Sequence, residues 1–174
     1  MKKNKPDLRQ EVIDFHRNFK SVILATATFE GDPDASYTPY LLDDSGDIFI
    51  FVSELAQHTK NLINSPKASL LWISGEEESR NLFARRRLTL QCEAIAQQPD
   101  TAQWNAVLTR MQHLHGKTIE VLRSLPDFHL FRLKARRGNY VRGFAQAFPA
   151  SGDELQSWLQ GSADTFPRET GIRN

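Results

Sequence analysis

DIFIFVSELAQHTKNLINSPKASLLWI, residues 47–73, reads as strand, short helix, strand. Residues 48–52 are a continuous run of apolar, β-branched and aromatic side chains, the pattern of a strand covered on both faces. Ser53 and Glu54 break that run and open a short polar helix whose apolar contacts are Leu55, Leu62 and Ile63. Asn64-Ser65-Pro66 ends the helix, because a proline forces the residue before it out of the α region. Residues 68–73 form a second apolar strand. Between the strands, Ser53 is followed by Gln57, His58, Thr59, Lys60 and Asn61. Polar groups on a rigid sheet edge are a common place for a ligand, and a solvated surface helix is the alternative.

Upstream of this unit, Asp7 is placed to cap a helix on which Leu8, Val12, Phe15 and Phe19 recur at helical spacing, with His16 beside the stripe as a surface residue. Residues 21–29 and 35–42 read as a strand pair joined by Glu30-Gly31-Asp32-Pro33, and Pro39 suits an edge or a bulge. Downstream, residues 76–84 are a polar helical turn or loop. Residues 85–96 alternate strictly: Leu88, Leu90, Cys92 and Ala94 on a core face, and Arg85, Arg87, Thr89, Gln91 and Glu93 opposite. Arg85 and Arg87 therefore point together and suit an anionic group. Trp104, Val107, Leu108, Met111 and Leu114 mark a buried helical stripe, and a second short helix spans residues 117–125. Residues 127–133 and 140–144 read as strands around a turn at Arg136-Arg137-Gly138-Asn139. Ser151 to Glu154 has the form of a capping box before a last helix carrying Leu155, Trp158 and Leu159.

The chain has 174 residues, enough for one domain with its own core. A single split-barrel domain is expected over residues 1–160, with a tail at 161–174. The net charge of +1 gives no bulk attraction for nucleic acid. One cysteine, Cys92, excludes a disulfide framework and fits a reducing compartment; it reads as a small buried hydrophobe. The N-terminus has no apolar signal region, and no apolar run approaches the roughly 20 residues that cross a bilayer, so a cytoplasmic protein is expected. The sequence contains no phosphate loop, HExxH or GxSxG, and His113 and His115 do not share a helix face. Strands with turn-rich links and helices in the gaps predict an α+β fold, a small six-stranded split β-barrel with peripheral helices. Strands apolar on both faces need their outer faces covered, by helices or by a second protomer.

The segments LAT (24–26), SYTPY (36–40), HTKNL (58–62), LFARRRLT (82–89), DFHLFRL (127–133) and GFAQAF (143–148) stand in the order found in the pyridoxamine 5′-phosphate oxidase-like split-barrel superfamily. More narrowly the chain resembles heme-utilisation proteins of the HugZ/HutZ type. That resemblance implies a homodimer, heme between the protomers against the outer barrel faces, and oxidative heme degradation. It implies a cofactor set of Thr26, Ser53, His58, Lys60, Asn61, Arg85 and Arg87, and a catalytic role for Asp127, which matches the aspartate that tunes the heme site. FMN is the alternative cofactor, and a heme-binding module without turnover the alternative function. Flavin enzymes of the superfamily hold the phosphate with Arg and Lys from the second and third strands and a following Ser-Arg-Lys. This chain has no Arg or Lys between Lys20 and Lys60, and Ala56-Gln57-His58 stands where the tripeptide falls. Lys60, Arg85 and Arg87 are left to substitute. Heme-utilisation proteins ligate iron with a tail histidine, whereas GSADTFPRETGIRN has none. His129, two residues beyond Asp127 on the same strand face, is the alternative ligand.

Overall fold

The computed structural model describes residues 7–161. Its elements, in order, are α1 (Leu8–Arg17), β1 (Ser21–Ala27), β2 (Pro33–Pro39), β3 (Leu41–Leu42), β4 (Ile48–Ser53), α2 (Gln57–Asn64), β5 (Lys67–Ile73), a 3-10 turn (Leu82–Ala84), β6 (Arg87–Ala96), α3 (Ala102–His115), α4 (Thr118–Arg123), β7 (Phe128–Gly143), β8 (Gln146–Ser151) and α5 (Gly152–Leu159). The strands form one antiparallel sheet in the order β2-β1-β5-β6-β7-β4-β3, with β8 added on β7. The sheet curls until β2 approaches β4, giving the expected split barrel of an α+β fold, but with eight strands where six were expected, because short β3 and the β8 return add to the sheet.

Sheet alternation divides the apolar side chains into an inner and an outer set. Val22, Leu24, Ile48, Ile50, Val52, Leu70, Trp72, Leu88, Leu90, Phe131 and Leu133 fill the interior. Val12 and Phe15 of α1 and Leu155, Trp158 and Leu159 of α5 plug one end, while Leu62 of α2 enters from the other. Outside, Phe49 and Phe51 of β4 and Leu130 of β7 lie under Trp104, Val107, Leu108 and Met111 of α3 and Ile119 of α4. The double-sided apolar run of β4 is thus covered by helices of the same chain, and no second protomer is needed for it.

Several local readings change. Residues 127–133 and 140–144 are halves of one strand, β7, which runs straight through the expected turn. Gly138 is there for close approach: a Cβ would lie 2.6 Å from Leu155 Cδ1 and 3.1 Å from Leu90 Cδ2, so its absence lets α5 sit on the sheet. A bulge is the real irregularity. Gln91 pairs with Arg137 but Cys92 pairs with Ala135, leaving Arg136 extra. Before the bulge β7 pairs with β4; after it, with β8. The polar helix starts at Gln57, because Ser53 still belongs to β4 and residues 54–56 are turn. Arg85 stands outside the strand, at the end of the 3-10 turn, and β6 starts at Arg87. Ser151 makes no side-chain cap on α5, since it closes β8.

His16, read as a surface residue, is buried at 1% exposure. The α1 stripe is wider than its apolar residues suggest, because α5 packs across its side. The His16 Nε2–H donates to the Trp158 carbonyl at 3.0 Å, and the Tyr40 hydroxyl donates to the His16 carbonyl at 2.9 Å. Burial pushes the His16 imidazole down to about 4, so it is neutral at pH 7. Cys92 is the buried hydrophobe expected, its thiol pushed up to about 12 by burial. Among the described residues no helix is long and apolar enough to cross a membrane.

Candidate functional site

The polar groups singled out in the sequence gather at the barrel rim that carries α2. β1 ends there at Ala27 and β4 at Ser53, and β7 starts there at Phe128. Two hydrogen-bonded clusters result.

The first joins β1, β2 and α2. Asn61 is 2% exposed, and its Nδ2 donates to Thr26 Oγ1 at 2.9 Å. Gln57 Nε2 donates to Asn61 Oδ1 at 2.9 Å, one helical turn away. Thr26 Oγ1 donates to Asp34 Oδ2 at 3.4 Å, because Thr26 and Asp34 are register partners on β1 and β2. His58 lies half-buried beside this group. Burial lowers its pKa, with the Asp34 charge opposing, so its imidazole is neutral at pH 7. Thr59 is fully buried and its Oγ1 has no hydrogen-bond partner among the described residues. Lys60 is exposed.

The second joins β4 and β7. Ser53 Oγ donates to Asp127 Oδ2 at 2.5 Å, and the Glu54 amide donates to the Asp127 carbonyl at 2.8 Å. The Leu55 amide donates to Ser53 Oγ at 3.1 Å, which fixes the hydroxyl. Asp127 therefore has its partner within the chain, Ser53, and its Oδ1 remains without one among the described residues. His129 Nε2–H donates to Glu54 Oε1 at 2.5 Å. Its ring stands 6.2 Å from that of Phe131, with His129 one third exposed. A carboxylate on one ring nitrogen fixes the tautomer and orients the ring, as in a metal-ligating histidine. The described residues hold no group of three or more His, Cys, Asp or Glu side chains able to bind a metal ion by themselves.

The arginines part company. Arg85 Nε and Nη2 both donate to the Ser74 carbonyl, at 3.0 and 2.6 Å, and Nη1 reaches Glu76 at 3.4 Å. It braces the β5–β6 connection and does not form a forked pair with Arg87. Arg87 Nη1 donates to the Arg85 carbonyl at 3.0 Å, leaving its other nitrogens available. Glu54 and Asp34 were not singled out in the sequence as functional. Glu54 reads there as a helix-opening residue, and its partner His129 is 75 positions away. Only the pairing of β4 with β7 brings them together.

The outer face of β2, β1, β5 and β6 adjoins this rim. Register places Tyr37, Ile23, Leu71 and Thr89 in one row across it, and Ala35, Ala25, Ser69 and Gln91 in the next. Tyr37 is 71% exposed and Ile23 40%. Among the described residues, neither apolar core cluster includes a side chain of these two rows.

Residues 8–142 match the pyridoxamine 5′-phosphate oxidase family. The chain is 38% identical over 152 residues to heme oxygenase HutZ of Vibrio cholerae, covering 87% of this chain and 86% of that protein. The crystal structure of Vibrio cholerae HutZ, described as a heme storage protein, superposes with a TM-score of 0.69 at 36% identity, covering 74% of this chain and 90% of that one. The structure of Campylobacter jejuni ChuZ superposes with a TM-score of 0.75 at 25% identity, covering 86% of this chain and 61% of that one.

Proposed function

The chain belongs to the pyridoxamine 5′-phosphate oxidase family, and on that premise we propose that it is a heme-utilisation protein. In this reading it is a homodimer that binds heme between protomers and supports oxidative opening of the ring. The observation that carries the reading is the uncovered outer sheet face, apolar at Ile23, Leu71 and Tyr37 and bordered by the polar rim. A flat, largely apolar group lying between two such faces buries both.

The residues present fit such a group. The sheet face suits the macrocycle, Lys60 and Arg87 offer cations for its acidic groups, and the orphaned hydroxyl of Thr59 lies within the same polar helix. Heme when bound would supply the oxygen chemistry, with electrons and dioxygen from outside. Asp127 is held in one orientation by Ser53, and its Oδ1 would accept a hydrogen bond from a bound ligand. Thr26, Asn61 and Gln57 keep the neighbouring wall fixed. Residues 162–174 contain no histidine and lie outside the described residues; His129, backed by Glu54, would be the candidate imidazole for the iron, and its register with Val52 sets it at the rim on the interior side of β7. A cytoplasmic site of action is part of the same proposal.

The Vibrio cholerae HutZ structure, described as a heme storage protein, favours a second reading, heme binding or storage without turnover. FMN is less well served, because Arg85 is committed to Ser74 and a phosphate of nearly two charges recruits cations. Titrating the purified protein with hemin, then adding ascorbate, tests all three. A Soret band that decays with ascorbate supports degradation, and a stable band supports storage. A flavin spectrum released on denaturation supports FMN; absence of hemin binding above background ends the heme reading. Asp127→Asn should alter the heme spectrum or shift the pH profile of degradation.

A further inference from the structure

One arginine on the outer sheet face is absent from the ligand set above. Arg137 reads in the sequence as part of a turn, but it lies inside β7, paired with Gln91 on one side and Ser151 on the other. Paired residues in an antiparallel ladder share a face. Arg137 therefore projects from the outer face, at the end of the row Ala35, Ala25, Ser69, Gln91. Asn139, paired with Thr89, extends the neighbouring row in the same direction.

Every other arginine carried on a strand of the described residues is engaged. Arg87 donates to the Arg85 carbonyl, Arg132 pairs with Asp47, Arg136 with Glu93 and Arg142 with Glu11. Arg137 is exposed, and no hydrogen bond, ion pair or ring contact engages it among the described residues. The face thus grades from apolar at Tyr37, Ile23 and Leu71, through Thr89, Gln91 and Asn139, to one free guanidinium. That gradient fits a flat apolar ligand with an acidic edge.

We propose that Arg137 binds an anionic edge group of the ligand on this face, a propionate carboxylate of heme, with Gln91 and Asn139 as its neutral neighbours. The inference rests on the heme reading above. A guanidinium can take a carboxylate through two parallel N–H donors, which a lysine cannot reproduce. It explains why this strand carries an arginine without an acidic partner.

The test titrates wild type, Arg137→Ala and Arg137→Lys with hemin and with hemin dimethyl ester, whose propionates are uncharged, and follows the dimer by light scattering. Loss of one charge-assisted pair should weaken hemin binding by about tenfold or more in Arg137→Ala. Arg137→Lys should fall between, and the ester should bind all three proteins alike. Equal hemin affinity in wild type and Arg137→Ala overturns the assignment while leaving the heme reading intact. Equal weakening for hemin and its ester also overturns it, as does a change to monomer, which would place Arg137 in the contact between protomers. A wild type that binds no hemin overturns both readings.

Discussion

Phe49 and Phe51 on β4, and Ile23 and Leu71 on β1 and β5, all point away from the barrel interior. The first pair is closed over by Trp104, Val107, Leu108 and Met111 of α3, leaving Phe49 fully buried and Phe51 at 7%. Ile23 keeps 40% of its surface, and Tyr37 beside it 71%. In sequence these three strands look alike, apolar on two faces. The difference lies in the connections. The β6–β7 link is long enough to carry α3 and α4 back across β4, whereas β1–β2 is a tight turn that covers nothing. An outer face covered by its own chain contributes to folding. One left bare contributes when something else arrives.

Removing the cover should have the largest effect. Trp104→Ala empties the α3 side of the contact with Phe51 and should cost about 3–5 kcal/mol of stability in urea unfolding. Hemin affinity of the remaining folded protein should not change. A loss below about 1 kcal/mol would mean that α3 is not what holds that face.

The barrel end covered by α1 and α5 sharpens the comparison through pH. His16 is neutral when folded, with its pKa lowered from 6.5 to about 4. Above pH 6.5 neither state is protonated and stability is at its full value. As pH falls from there the unfolded chain takes a proton and the folded one does not. Stability is therefore lost between about 6.5 and about 4 and levels off below. The loss should be on the order of 3 kcal/mol. Gln at position 16 keeps a donor for the Trp158 carbonyl and cannot titrate. His16→Gln should flatten this part of the profile in urea unfolding measured at pH 7.5 and 4.5. An unchanged slope would assign the acid sensitivity to other groups.

On the bare face the expectation reverses. Leu71→Arg should shift the mass seen by light scattering from dimer to monomer and abolish hemin binding, while changing protomer stability by less than about 1 kcal/mol. A large stability loss with the dimer intact would show that this face is covered within the protomer after all.

The smallest effect is expected at the rim. Ser53→Ala leaves Asp127 in place but removes the hydroxyl that orients Oδ2. Its cost should be about 1 kcal/mol in unfolding, together with a shifted pH profile for any ascorbate-driven heme loss. An unchanged profile would reduce the pair to a strand-end contact.

Much of this architecture was legible beforehand because it is local. Period-two alternation in residues 87–96, the apolar run at 48–52 and the proline after Ser65 each act through neighbours a few positions away, and the strands, the helix stop and the inner core follow from them. Motif order carried the family. Tertiary structure alone decided what depends on elements distant in sequence. Gly138 reads as a turn residue until α5 is seen resting on it, and Arg137 then moves from a loop to a sheet face. Arg85 and Arg87 look like a matched pair until Ser74, on the neighbouring connection, takes the first. His16 looks exposed until α5 crosses α1 and removes it from water. Asp127 finds Ser53, and His129 finds Glu54, only through the pairing of β4 with β7. Periodicity states which face a side chain takes; the far end of the chain determines what lies against that face.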